Sequence, residues 1–338
     1  MLETVRELCN LNGISGRENR IRDYIISKIT GYCEYKTDPL GNLLVFKKGK
    51  KTANHTVLID AHMDEVGMIV TGIDSDGCIR FAKVGGVDSR VIIGRNVYIG
   101  ENCVPGVLGI KPIHLIKKSE EGDIPSDKDL YIDIGAKNKE DAEKYVMPGD
   151  EINFESNFSV FGEGFLASKA LDDRAGCAVL IDIIRSETEY DCRFSFSVQE
   201  EIGTRGAATA AFSSEPDYAI VVETTTAADI SGIKGADRVC ICGDGGAVSF
   251  MDRSTVYNRD LYLKALETAK SNGIKAQTKT RVAGGNDAGA IHKSRGGVKT
   301  ITVSVPCRYL HSPCCVCKLE DIESTRDLVK ALATEFAK

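Results

Sequence analysis

The chain has 338 residues, 42% of them hydrophobic and 27% charged, with a formal net charge of −6. This is an ordinary globular composition, long enough for two domains or for one core with an insert. The acids are spread out and no basic patch or arm stands out, which argues against nucleic acid as a partner, and no apolar run is long enough to span a membrane.

In chain order, Leu2, Val5, Leu8 and Cys9 make the apolar stripe of a first helix that stops at Gly13. Ser15 and Glu18 stand at capping-box spacing before a second helix with its stripe at Ile21, Tyr24, Ile25 and Ile29. "DPLGN" reads as a turn before the short strand "LLVF", and "TVLIDAH" reads as a buried strand. From about residue 72 to 164 the texture changes to short β-type runs: "CIRFAKVGG", "RVIIGRNVYIG", "VPGVLGI", "LYIDIGA" and "EINFES". Separated by Gly, Pro and Asn, they predict a small all-β unit, with a polar, mobile loop over 117–129.

After "SKALDDRAG", helices and strands alternate. The helix "AGCAVLIDIIRS" leads to the strand "CRFSFSVQEE", the helix "TRGAATAAF" and the strand "YAIVVET". A helix near 260–272, the strand "VKTITVSVP" and a last helix follow. Such alternation predicts an α/β core, a mostly parallel sheet flanked by helices. The expected domains are therefore a core of residues 1–71 and 165–338, interrupted by a β insert of 72–164. The N-terminus lacks a charged-then-apolar leader pattern and the twelve cysteines are scattered. A cytoplasmic protein with reduced thiols is the expectation.

Several core segments end in an acid or a histidine where a strand stops: His62 and Asp64, Asp172 and Asp173, Glu200 and Glu201, Glu223, and then His311. In open α/β sheets the carboxyl ends of strands are where sites assemble. Imidazole with carboxylate suits zinc, cobalt or manganese, and one bridging carboxylate can hold two ions around a shared water. Of two adjacent acids such as Glu200 and Glu201, one can bind metal while the other serves as general base. Residues i and i+2 of a strand point the same way, so Asp64 can accept the second ring N–H of His62 and fix its tautomer. Taken singly, each piece has a plainer reading: a buried ion pair, a solvated turn, or a helix cap at "LDDR". Their joint occurrence at strand ends favours a site.

The segments "AHMDEVG", "KALDDRAG", "VQEEIGTRGA", "VVET", "GGNDAGAIHKSRGGV" and "VPCRYLHSP" together resemble the dinuclear metallo-aminopeptidases of the tetrahedral (TET) group, also called glutamyl or deblocking aminopeptidases and cellulase M. The resemblance runs from the first helix to the last and includes the β insert. It implies two divalent metal ions, zinc first, with cobalt or manganese as alternatives. His62, Asp172 and Glu223 would hold one metal, and Asp172, Glu201 and His311 the other, with Asp172 bridging. Glu200 would be the general base and Asp64 would orient His62. Glu223 departs from the Asp usual in the family and leaves a ligand in place. Short peptides with free N-termini are the implied substrates, and a homo-oligomer, a dimer through the β insert building up to a dodecamer, the implied assembly.

Related dinuclear dipeptidases or carboxypeptidases, a non-catalytic scaffold, and a metal-independent glycosidase are the competing readings; a glycosidase needs two acids across a sugar bond and no metal. Gly284 and Gly285 suit a loop lining the substrate pocket. Cys307, Cys314, Cys315 and Cys317 lack the paired spacing of a zinc site and read as packed thiols, as do Cys240 and Cys242 in a strand-like run. His55, His114 and His292 receive no role. No serine-hydrolase elbow or P-loop is present.

Overall fold

The computed structural model of the protein describes residues 1–116 and 122–338. Helices α1 (Leu2–Asn10) and α2 (Asn19–Ile29) come first and bury the expected stripes except Leu2 and Tyr24, which are half-buried. Glu18 is the N-cap position of α2 but makes no capping bond there, so the expected capping box does not form. Strands β1 (Glu34–Thr37) and β2 (Leu43–Lys47) pair antiparallel. Asp38 nucleates the turn between them by accepting the amides of Leu40, Gly41 and Asn42. Strand β3 (Val57–His62) is buried at every position, which is why it reads as a continuous apolar run.

The chain then enters a closed barrel ordered β4-β5-β8-β7-β6-β9. Its strands are β4 (Gly67–Ile73), β5 (Ile79–Val84), β6 (Asn96–Ile99), β7 (Val104–Ile110), β8 (Leu130–Asp133) and β9 (Glu151–Phe154). The turns α3 (Ser89–Ile92) and α4 (Lys139–Ala142) interrupt them. "RVII" was expected as β but lies in and beside α3, because the Asp88 carboxylate caps the Arg90 amide. The barrel has its own core, including Met68, Val70, Ile79, Ile92, Ile99, Ile132 and Phe154. Residues 117–121 of the loop expected to be mobile lie outside the described residues. Its remainder includes a turn at Asp127–Asp129 capped by Ser126.

Strands β10 (Ser159–Phe161) and β11 (Phe165–Ser168) already belong to the large sheet. Next come α5 (Leu171–Arg185), β12 (Cys192–Ser197), α6 (Arg205–Ser214) and β13 (Tyr218–Thr226). They are followed by β14 (Gly246–Val248), α7 (Arg259–Ser271), β15 (Ala276–Thr278) and α8 (Ala288–Ile291). The chain closes with β16 (Lys299–Arg308), β17 (Cys315–Lys318) and α9 (Leu319–Phe336).

The large sheet runs β1-β2-β12-β3-β13-β16-β17-β11-β10, with β14 beside β16 and β15 beside β14. It is mixed, where a mostly parallel sheet was expected. Parallel pairing joins β12, β3, β13 and β16, and the short pair β14–β15. The outer pairs are antiparallel. The reason is connection length: a helical crossover returns the chain parallel, whereas the short links β1–β2, β10–β11 and β16–β17 can only reverse it. Helices α5 and α9 pack on β13 and β3, and α6 and α8 pack together against the same strands. The main core lies between these layers, with Leu58, Ile59, Val179, Ile183, Ile220, Val222, Ile301 and Leu328 among its buried members.

Candidate metal centre

Strand register assembles the centre. Ser197 stands beside His62 in the parallel β12–β3 pair, so Glu200 and Glu201 emerge just past the end of β3. Asp60 stands beside Val221 in the β3–β13 pair, which sets Glu223 level with His62 two residues on. Asp172 enters from the first turn of α5, and His311 from the loop between β16 and β17.

His62 Nε2 lies 3.4 Å from Asp172 Oδ1 and 3.4 Å from Glu223 Oε1. His311 Nε2 lies 3.4 Å from Asp172 Oδ2 and 3.6 Å from Glu201 Oε2. Asp172 thus turns one oxygen to each ring. These separations are long for hydrogen bonds. They match adjacent donors around a tetrahedral ion, which stand about 3.3–3.5 Å apart when each bond is about 2.0–2.1 Å. Buried Asp172 Oδ1 and Glu201 Oε1 have no hydrogen-bond partner. On donor type, spacing and unpartnered oxygens, the residues fit divalent metal.

Asp173 also brings a carboxylate oxygen within 4.8 Å of donors on His62 and Glu223. Its Oδ1, however, accepts the Gly176 amide at 3.0 Å. Asp172 and Asp173 have non-helical backbone angles, so this bond caps the regular part of α5. The "LDDR" pair divides in this way: Asp172 faces both histidines, and Asp173 caps the helix.

The support around the ligands is dense. His62 Nδ1 is 3.0 Å from the Asp64 main-chain carbonyl and 3.5 Å from its carboxylate. The ring N–H expected to meet the Asp64 carboxylate is therefore closer to the backbone. That carboxylate instead accepts the amides of Glu200 at 3.0 Å and Glu201 at 3.1 Å, and the Ser15 hydroxyl at 2.6 Å. Glu18 accepts the Gly16 and Gln199 amides. His311 Nδ1 reaches the Gly86 carbonyl of the barrel at 3.1 Å. Gln199 and His311 both hold positive φ, 57° and 55°, at the two ends of the centre. Behind it, buried Lys169 and Arg174 converge on Glu65 Oε1 at 2.9 and 3.4 Å.

Electrostatically the centre is crowded with acids. Burial pushes the Glu223 carboxyl up to about 7 and Glu201 to about 8. Burial also lifts Glu200 and Asp173 well above the usual carboxylate range, with Glu223 adding to both. Burial opposes the charge of Asp172 too, but His311 and His62 outweigh it and hold that carboxyl well below normal. The same Asp172 raises His311 to about 10. Burial works against a charged His62 ring, yet Glu223, Asp172 and Asp64 together raise it well above its ordinary value.

All seven residues expected at the site come together here. Sequence reasoning missed Ser15 and Glu18 as supports, the Lys169–Glu65–Arg174 cluster, and Asp287. The Asp287 carboxylate accepts from Ser197 at 2.6 Å beside a similar Asp60–Ser195 bond. The signal for Lys169 and Glu65 lay inside the quoted motifs, as charges abutting apolar runs. Next to the ligands is a cavity of about 250 Å³ lined by Thr224, Thr225, Val239, Lys279 and the 283–286 loop. All twelve cysteines are free thiols, and among the described residues no group able to hold a metal includes one. Cys240 and Cys242 lie outside any strand; that strand, β14, begins at Gly246.

With this geometry in hand, the likeness to known proteins is specific. A family model described as M42 glutamyl aminopeptidase matches residues 41–328. A putative aminopeptidase of Acetivibrio thermocellus is 38% identical over 97% of this chain and 97% of its own length. The lysyl aminopeptidase of Pyrococcus furiosus is 33% identical, covering 99% of this chain and 97% of that one. The Pyrococcus horikoshii TET1 peptidase, which can assemble into a tetrahedron or a large octahedral shell, superposes with a TM-score of 0.87 at 37% identity over 99% of both chains. In fold and sequence, the chain is a hydrolase and belongs to the M42 glutamyl aminopeptidase family.

Proposed function

We propose that the protein is a two-metal aminopeptidase that removes the N-terminal residue from short peptides. The observation that carries this reading is Asp172, one oxygen 3.4 Å from each of two histidine rings that each face a further glutamate. His62 and Glu223 would hold one ion, Glu201 and His311 the other, and Asp172 both. The ions, when bound, supply Lewis acidity and a water of lowered pKa.

The chain's own residues do the rest. Glu200 belongs to no ion in this assignment and borders the cavity. A carboxylate left free of the ions and bordering the cavity suits a general base that takes the water proton and passes it to the leaving amine. Asp64 holds the Glu200 and Glu201 amides, so both carboxylates keep their separate aims. The acids also favour a protonated substrate α-amine, which restricts cleavage to the N-terminal residue.

By analogy with the P. horikoshii protein, we also assign a homo-oligomeric assembly, with the barrel as the contact between copies. The relatives leave the preferred residue open, since the family description says glutamyl and the P. furiosus protein is a lysyl enzyme. The test is reconstitution. Metal-stripped protein is assayed on matched peptides with free and acetylated N-termini, with zinc, cobalt or manganese restored. Activity should appear only with metal and only on free N-termini. Cleavage of the acetylated peptides, or activity in chelator, would sink the proposal.

A further inference from the structure

Two cavities flank the centre, and Glu200, His311, Gly285 and Asn286 line both. The first closes against Thr225, Val239 and Lys279, all buried. A closed end suits the side chain of the residue being removed. The second, of about 400 Å³, takes in Glu201 and is bordered by Gly203 and Lys293, both exposed. An open side suits the part of the peptide that leaves, and Glu200 stands between the two, where the leaving amine must collect its proton.

The wall of the second cavity is largely backbone. A Cβ on Gly289 would lie 2.7 Å from Ser254 Cβ, and one on Gly285 2.9 Å from Ser254 Oγ, so neither position has room for a side chain. The polar side chains there are engaged: Ser254 donates to Asp252 at 2.8 Å, and Asn286 accepts the Ala288 amide at 2.9 Å. Lys293 is the exception. It stands just past α8 and is the only lysine or arginine among the described residues that border this cavity. Among the described residues its ammonium has no ion-pair partner, whereas Arg295, two residues on, pairs with Glu215 at 2.7 Å and lies over the Phe212 ring. A cavity that holds Glu200 and Glu201 at one end and an uncommitted ammonium at its rim is built to orient something that carries a negative charge away from the acids.

We infer that Lys293 receives the C-terminal carboxylate of the leaving residue, so that this chain favours dipeptides over longer peptides. This rests on the aminopeptidase reading. In a dipeptide the carboxylate follows the scissile bond by one residue, about 3.8 Å of chain, and so stays within the cavity. The Glu200 carboxylate repels it there, and Lys293, a point charge on a flexible four-carbon stem, supplies the opposite sign. In a longer peptide or an amide the same place holds a neutral group, and Lys293 gains nothing.

The test compares kcat/KM of the metal-loaded protein for X-Gly, X-Gly amide and X-Gly-Gly, with X as Ala, Leu, Glu and Lys in turn. Ratios taken within one X cancel the preference for the first residue, and acid against amide isolates the charge at nearly equal size. X-Gly should exceed its amide and X-Gly-Gly by about tenfold, between the worth of an exposed ion pair and that of a buried charge-assisted hydrogen bond. The difference should lie in KM and should shrink as salt screens the pair. Lys293→Met should bring the acid-to-amide ratio to one or below, Lys293→Arg should keep it above one, and Lys293→Glu should drive it well below one. A wild-type ratio at or below one for every X, or an unchanged ratio in Lys293→Met, would overturn the inference. Equal losses on acid and amide in Lys293→Met would also overturn it, by leaving Lys293 a support of the fold. Metal-loaded protein inert on every free N-terminus would instead overturn the aminopeptidase reading.

Discussion

At the scale of single residues, the assignment of roles among eight titratable groups makes sharp demands. Glu200→Gln should cut kcat by about 10²–10⁴, the usual worth of a general base, while metal content and KM stay near wild type. Loss of metal in that variant, measured by elemental analysis, would make Glu200 a ligand instead. His311→Ala removes a donor from only one half of the centre, so the protein should retain one ion per chain and lose the other. Retention of both would contradict the pairing of His311 with Glu201 and Asp172. The histidines and terminal acids were legible because each closes an apolar strand, where a charge is conspicuous. The division of labour between Asp172 and Asp173 was legible only through the family resemblance: both are buried, and what separates them is that Asp172 faces the two histidines while Asp173 caps Gly176.

At the scale of elements, the barrel and the core meet at the centre. A Cβ at Gly85, where φ is +84°, would lie 2.8 Å from Val66 and 3.3 Å from the Glu201 side chain. Gly85→Ala should therefore displace the Gly86 carbonyl that holds His311, weakening metal binding by about tenfold in a titration, with little change in the barrel's own core. Unchanged affinity would show that the barrel does not steady the ligand. Buried Lys169 ties Glu65 to the Leu11 carbonyl and the Asn12 side chain. Lys169→Met breaks this cluster and should cost about 3–5 kcal/mol in denaturant unfolding, as severed buried ion pairs do. The order and type of the core elements were readable from periodicity, since strands buried on both faces and amphipathic helices leave opposite patterns. The antiparallel margins were not, because strand direction follows from connection geometry rather than from composition. Nor was α3, whose apolar "RVII" obeys a capping aspartate rather than its β propensity.

At the scale of the whole molecule, the acidic centre couples metal, protons and folding. Without metal, burial raises the Glu223 and Glu201 carboxyls to about 7 and about 8, from the ordinary glutamate value of 4.5. A folded state that holds protons more tightly than the unfolded chain is stabilised at low pH. That contribution is full below about pH 4.5 and is lost as pH rises through about 7 and 8. His311, raised to about 10, acts with the same sign above the ordinary histidine value of 6.5. Metal-stripped protein should accordingly lose several degrees of Tm between about pH 5 and about pH 8.5, and added zinc should abolish the loss by replacing the protons. A stripped protein whose Tm rises over that interval would contradict this linkage. The most direct measurement of the central claim is anomalous X-ray scattering from crystals of the zinc-loaded protein. The account predicts two peaks about 3.5–4 Å apart, one in bonding contact with His62 and Glu223, the other with Glu201 and His311, and Asp172 bonded to both. A single peak, or a pair in which Asp172 touches only one, would contradict it.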